Sequence, residues 1–270
     1  MEKMGLQGID GAIFDLDGTI FDSMYIWEEV DDAFIKKHGL PPSKEYVEAI
    51  RPMSFLESAK YVIRYFGLQE TPEEIMKEWH ELALYAYANS VALKPYAREY
   101  LLELKKRGIK LAVATALSPE LFEPALRNNK IEGLFDATSH AGEVSRGKGY
   151  PDLYLLAAHR LGVAPENCAV FEDILAGIQG AKQGGFYACG IYDQYAEAEK
   201  NKILETADAY AFCYHDLLRR LHSCKALPCK RAGLFFDKKA IQHADNENNG
   251  KAYSKTNAWK VITKNIKKEI

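Results

Sequence analysis

The chain has 270 residues, 47% of them hydrophobic and 27% charged, with a net charge of −3. That balance is globular: it excludes a wholly disordered chain, and no run nears the ~20 apolar residues of a membrane span. The charge is uneven, because residues 223–270 hold 11 Lys and Arg against 4 Asp and Glu, a local +7 that leaves −10 on the rest.

This asymmetry marks a composition boundary near Ser223, with an acidic body before it and a basic tail after it. The opening MEKMGLQGID has no apolar core, so no secretory signal is expected. The five cysteines, an odd number between Cys168 and Cys229, do not make a disulfide framework. A reducing cytoplasm is the expected compartment.

In chain order, GAIFDLD (11–17) predicts a first buried strand that ends in carboxylates. Residues 22–93 then break the pattern, with helix-like stretches at 25–38, 54–66 and 72–89 and no good strand. Thr71-Pro72-Glu73-Glu74 reads as a helix start: an N-cap, a proline at the first position and a glutamate at the third. Further on, 97–107 is an amphipathic helix with Tyr100, Leu101 and Leu104 on its apolar face and Gly108 as its stop. KLAVATA (110–116) predicts a second strand, 151–161 a helix stopped by Gly162, and CAVFED (168–173) a third strand. Strands of this length separated by helices imply βαβ units and a parallel sheet. The expected fold is therefore α/β, a parallel-sheet core with a helical insert of about 70 residues.

All three strands end in polar residues: Asp15 and Asp17, Thr115, and Glu172 with Asp173. In an open parallel sheet the ligand crevice lies at the carboxyl ends of the strands, so these groups converge. Several acids in one cleft repel each other unless a cation is bound, and all-oxygen ligands favour Mg²⁺ over zinc. Asp15-Leu16-Asp17-Gly18-Thr19 could also open a calcium loop. That requires Gly at Ile20 and Glu at Ile26, and neither is there. Taken alone, two acids at a strand end could equally be solvated or capping; agreement among the other strand ends argues against this.

FDLDGT, the ATA around Thr115, Lys148 with Pro151-Asp152, and FEDILAGIQGAKQGG together resemble the haloacid dehalogenase-like (HAD) hydrolases, in order and over residues 11 to about 220. The insert after the first motif is similar to the helical cap of the subgroup that holds small-molecule phosphatases and β-phosphoglucomutase. The resemblance implies a Rossmann-like core at 1–21 and 94–222, an all-helical cap at 22–93, and a separate basic tail at 223–270. It implies Asp15 as nucleophile, giving an aspartyl-phosphate, and Asp17 as general acid and then base. It implies Mg²⁺ held by Asp15, the backbone carbonyl of Asp17, Asp173 and Glu172, and a phosphoryl group held by Thr115, the N–H of Ala116, and Lys148. The implied activity is a phosphoric monoester hydrolase acting on a small phosphorylated metabolite.

The chain departs from the family pattern at Gly149, usually Pro, and at Ile174, often Ser. Neither change removes a ligand. The mutases of this subgroup usually carry His where Trp27 stands and Arg where Phe55 stands, which favours hydrolysis over phosphate transfer between substrates. Arg51 offers another route to an anionic group, and solvation or a helix end accounts for it equally well. Trp27 and Phe55 are candidates for an aromatic wall against a ring-shaped or apolar part of the substrate. They are also ordinary cap-core residues by type.

Elsewhere, His80-Glu81 lacks the second histidine of a zinc-protease motif, Cys224 and Cys229 are too few for a zinc site, and no dinucleotide or P-loop glycine pattern occurs. Nucleic acid is not an expected partner. In the tail, Trp259, Ile262, Ile266 and Ile270 form a helical stripe beside Lys260, Lys264, Lys267 and Lys268. A disordered extension or a helix docked on the body explains this tail more simply than a dedicated binding function. A β-phosphoglucomutase-like transferase is the alternative enzyme. A non-catalytic binding protein that uses the tail is the alternative of another class.

Overall fold

Ala12, Ile13 and Phe14 are apolar on both faces of an extended run, which a chain can bury only in mid-sheet. In the computed structural model, which describes residues 8–50 and 55–223, Gly11–Phe14 is strand β1, fully buried. The elements that follow are β2 (Phe21–Asp22), α1 (Met24–Lys37), α2 (Lys44–Ile50), α3 (Phe55–Phe66), α4 (Pro72–Asn89) and β3 (Ala92–Leu93). Next come α5 (Ala97–Lys106), β4 (Lys110–Thr115), α6 (Pro119–Asn128), β5 (Ala137–His140), α7 (Asp152–Leu161) and β6 (Cys168–Glu172). The described part ends with α8 (Leu175–Gln183), β7 (Tyr187–Ile191), α9 (Lys200–Thr206), β8 (Ala209–Ala211) and α10 (Tyr214–Ser223).

Six strands form one parallel sheet in the order β5-β4-β1-β6-β7-β8. β1 is central, with Phe14 in register with Val113 on one side and Phe171 on the other. From β1 the chain builds outward through β4 to β5, then returns to β6 and builds the other way. The order reverses at β1, and in such sheets the crevice at that reversal is where ligands sit. Phe14 stacks on Phe171 with ring centroids 4.4 Å apart, and Tyr100 from α5 meets both edge-on. This aromatic packing fixes the two central strands against each other just below their carboxyl ends.

The first strand is shorter than its apolar run. β1 stops at Phe14 because the Leu16 carbonyl turns back to accept from the N–H groups of Thr19, Ile20 and Phe21. The two acids therefore stand on a tight turn beyond the strand. The insert leaves and re-enters the sheet through β2 and β3, which pair antiparallel over two residues each. Between them lie four helices, including α2, a short helix that the sequence pattern does not reveal. α4 begins as expected: Thr71 Oγ1 accepts from the Glu74 N–H, and Glu74 Oε2 accepts from the Thr71 N–H at 2.8 Å. α4 also packs on α6 of the core. There the Asn129 side chain donates to the Val91 and Ala125 carbonyls, both at 2.9 Å, and the Asn128 side chain donates to the Ala88 carbonyl. Among the described residues no helix is long and apolar enough to cross a membrane. Residues 224–270, with the Trp259 stripe and the tail lysines, lie outside the described residues.

Candidate active site

Asp15 is the first residue past β1. Its N–H still reaches the Phe171 carbonyl at 3.0 Å, so the backbone stays in sheet geometry while the side chain enters the crevice. The carboxyl is 1% exposed. Oδ1 lies 2.6 Å from Lys148 Nζ, an ion pair, yet neither oxygen accepts a well-directed hydrogen bond among the described residues. Burial pushes the Asp15 carboxyl up, and Lys148 pulls it back.

β6 ends at Glu172 and Asp173. Glu172 is fully buried, with Oε1 2.8 Å from Lys148 Nζ and accepting from the Tyr154 hydroxyl at 2.8 Å, while Oε2 has no donor among the described residues. Burial raises its carboxyl to about 7. Asp173 Oδ1 accepts from Thr19 Oγ1 at 3.3 Å, and burial raises this carboxyl too, with the neighbouring acids adding to the shift. Carboxylate oxygens of Asp15, Glu172 and Asp173 lie within 4.8 Å of one another. Burial alone would lower the pKa of Lys148, but Asp15, Glu172 and Asp173 outweigh it and hold the ammonium charged. One lysine among three buried carboxyls leaves an excess of negative charge, and uncompensated buried charge is costly.

The close fit of this cluster depends on Gly18. It has φ +71°, and a β-carbon there would collide with the Asp173 carboxyl.

Asp17 points elsewhere. Its carboxyl lies outside the triad, with Oδ1 accepting from the Ser23 hydroxyl at 2.6 Å and from the Tyr87 hydroxyl at 2.6 Å. Trp27 is a further donor to it. Burial raises the Asp17 carboxyl, and these donors oppose the rise. Ser23 occupies the N-cap position of α1 but makes no side-chain cap; its hydroxyl donates to Asp17 instead. Tyr87 comes from the last turn of α4, so an insert helix directly touches an acid of the core.

Thr115 ends β4, 1% exposed, with Oγ1 accepting from the Leu117 N–H at 3.1 Å. Ala116 follows it, exposed on the loop beyond the strand. Trp27, on α1, lies with its ring 6.3 Å from that of Tyr87. Arg51 lies outside the described residues, as does the side chain of Phe55, the first residue of α3. The structure thus brings Asp15, Lys148, Glu172 and Asp173 together, with Asp17 and Trp27 beside them. Ser23, Tyr87 and Tyr154 join them with no signal in the sequence beyond their type.

A family model for haloacid dehalogenase-like hydrolases matches residues 9–185. The chain belongs to the haloacid dehalogenase-like hydrolases. Relatives of this HAD hydrolase include a phosphorylated carbohydrates phosphatase of Thermotoga maritima, 29% identical over 75% of this chain and 93% of that protein. Hexitol phosphatase A of Escherichia coli is 32% identical over 67% of this chain and 82% of its own. Among solved structures, CbbY of Rhodobacter sphaeroides in complex with phosphate superposes with a TM-score of 0.64. It is 25% identical and covers 77% of this chain and 96% of its own.

Proposed function

We propose that this HAD hydrolase is a Mg²⁺-dependent phosphatase that cleaves the phosphate monoester of a small sugar or polyol through an aspartyl-phosphate on Asp15. The observation that carries this reading is the buried cluster of Asp15, Glu172 and Asp173 around Lys148, with Asp17 held separately by Ser23 and Tyr87. The names of the relatives, phosphatases of phosphorylated carbohydrates and hexitols, support the substrate class.

The donor set suits a hard divalent cation. Every side chain offers carboxylate oxygen, and Asp15 Oδ2 and Glu172 Oε2 accept from no donor among the described residues. Asp15, Glu172, Asp173 and the backbone carbonyl of Asp17 would hold Mg²⁺, which when bound supplies positive charge to the phosphoryl oxygens.

The protein's own groups then do the chemistry. An Asp15 oxygen attacks phosphorus, forming one P–O bond as the bond to the substrate's alkoxide oxygen breaks. Protonated Asp17 gives its proton to that oxygen, and its raised pKa favours this form. Asp17, now ionised, takes a proton from water as the water oxygen attacks phosphorus. Asp15 leaves as carboxylate and inorganic phosphate departs. Lys148, Thr115 and the Ala116 N–H balance the phosphoryl charge. In this reading the core is 1–21 and 94–222, the cap is 22–93, and the tail 223–270 is separate.

Phosphate release from p-nitrophenyl phosphate tests it. The expected result is turnover in Mg²⁺ that EDTA abolishes and that Asp15→Asn lowers by about 10³-fold or more. Turnover that survives both treatments would overturn it. The mutase alternative requires the enzyme to pass phosphate back to substrate. Isomerisation primed by a bisphosphate, without net phosphate release, would establish that instead.

A further inference from the structure

A cavity of about 440 Å³ lies among α1, α2 and α4. Its volume suits a six-carbon group. Trp27, Val30, Val47 and Trp79 supply apolar and aromatic wall. Trp27 also donates to Asp17, so one residue of the cavity wall touches the group that, on the reading above, protonates the leaving oxygen.

The charged part of the described wall is one-signed. Glu28, Asp31 and Asp32 line it, and no Lys, Arg or His does so among the described residues. Asp31 is fixed by the Tyr46 hydroxyl, which donates to it at 2.6 Å. The core contributes Tyr195, whose hydroxyl donates to Glu28 at 3.1 Å across the cavity edge. Tyr195 is well placed. Its N–H donates to Asp193 Oδ1 at 2.8 Å, and buried Asp193 is paired with Lys94 at 2.9 Å.

An ionised carboxylate only accepts hydrogen bonds, so a group seated against this wall must donate. Hydroxyls do so. A second phosphate or a carboxylate brings more acceptors and more negative charge beside three acids, and both are penalised.

We propose that this cavity seats the leaving group of the phosphate ester, and that Glu28 and Tyr195 select leaving groups rich in hydroxyl donors that carry no second negative charge. The inference rests on the phosphatase reading above. It makes the cap acidic wall a filter against bisphosphates and phosphorylated sugar acids.

The test is competition against p-nitrophenyl phosphate hydrolysis by the full chain in Mg²⁺. The competitors are glucitol 6-phosphate and 6-phosphogluconate, open six-carbon chains that differ in a terminal CH₂OH against a carboxylate. Each inhibition constant reports binding whether or not the competitor is itself hydrolysed. The ratio of the two constants cancels any general loss of folded enzyme. The polyol phosphate should bind at least fivefold more tightly. Glu28→Gln and Tyr195→Phe should each shrink that ratio by threefold or more. Glu29→Gln, on the same helix but not lining the cavity, should leave it unchanged.

A smaller ratio in the wild type, or one that Glu28→Gln does not move, overturns the inference while the phosphatase reading stands. Tighter binding of 6-phosphogluconate does the same. If p-nitrophenyl phosphate, glucitol 6-phosphate and a panel of sugar monophosphates all release no phosphate, the phosphatase reading fails and takes this inference with it.

Discussion

At the scale of single residues, Lys148 decides whether the buried acids can coexist. It touches both Asp15 and Glu172, within 2.8 Å of each. Lys148→Ala leaves carboxyls buried without their cation, a change that costs about 3–5 kcal/mol where one partner of a buried pair is removed. We expect a clearly lower Tm in a thermal melt and, on the proposed phosphatase reading, in which Lys148 faces the phosphoryl oxygens, activity on p-nitrophenyl phosphate down by at least about 100-fold. An unchanged Tm would show that the pair is not formed. A second residue gives a pH signature. The Arg160 guanidinium lowers Glu143 to about 2 from an ordinary 4.5. A depressed carboxyl stabilises the fold above its ordinary value, and that contribution fades as pH falls from 4.5 to about 2. Glu143→Gln should therefore cost roughly 0.5–1 kcal/mol at pH 7 in chemical denaturation, and nothing near pH 2. A pH-independent cost would mean that the contact is packing and not charge. Asp15, Asp17, Glu172 and Asp173 are legible in the sequence because each pair sits within three residues of a strand end. Tyr87 and Tyr154 are not. They reach Asp17 and Glu172 across 70 and 18 residues of chain, and their type is equally that of core aromatics.

Among the elements, α8 illustrates how a helix holds an acidic strand end. Gly177 lies in its first turn, where glycine still costs backbone entropy and alanine would ordinarily stabilise by up to roughly 0.5–1 kcal/mol. Here a β-carbon would collide with the Glu172 carboxyl. We expect the sign to reverse: Gly177→Ala should destabilise by about 1–3 kcal/mol, the cost of overpacking, and should impair metal-dependent turnover. A stabilised Gly177→Ala variant would show that the Glu172–α8 contact is loose. The helices 97–107 and 151–161 and the capped start at Thr71 are visible in the sequence, because periodicity and capping are local. α2 is not, being seven residues with little room for a period to register. The pair β2–β3 is two residues per strand, and it exists only because the insert must leave and return at one place.

For the whole molecule, the unbalanced negative charge of the crevice predicts a stability that rises when a divalent cation binds. A ligand that binds only the folded state stabilises by mass action, about 2.7 kcal/mol at 100 times its dissociation constant. For a chain of this size that corresponds to a Tm about 5–10 °C higher with Mg²⁺ than with EDTA. The shift should vanish in Asp173→Asn, which removes one acid of the triad. Equal melting with and without Mg²⁺ in the wild type would count against metal binding here.

Local chemistry alone determined much of this protein. The carboxylates at strand ends, the alternation of strands and helices and the capped helix are written in neighbouring residues, and together with the order of the motifs they identify the family. Only the tertiary structure decided which way Asp17 faces, since that depends on a tyrosine from α4 and on a serine at the start of α1, both donating to it. It alone placed a core tyrosine, Tyr195, at the edge of a cavity lined by the acids of α1. The reason is physical: backbone pattern and capping act over a few residues, whereas a buried hydrogen bond joins whichever side chains packing brings together, at any separation in the chain.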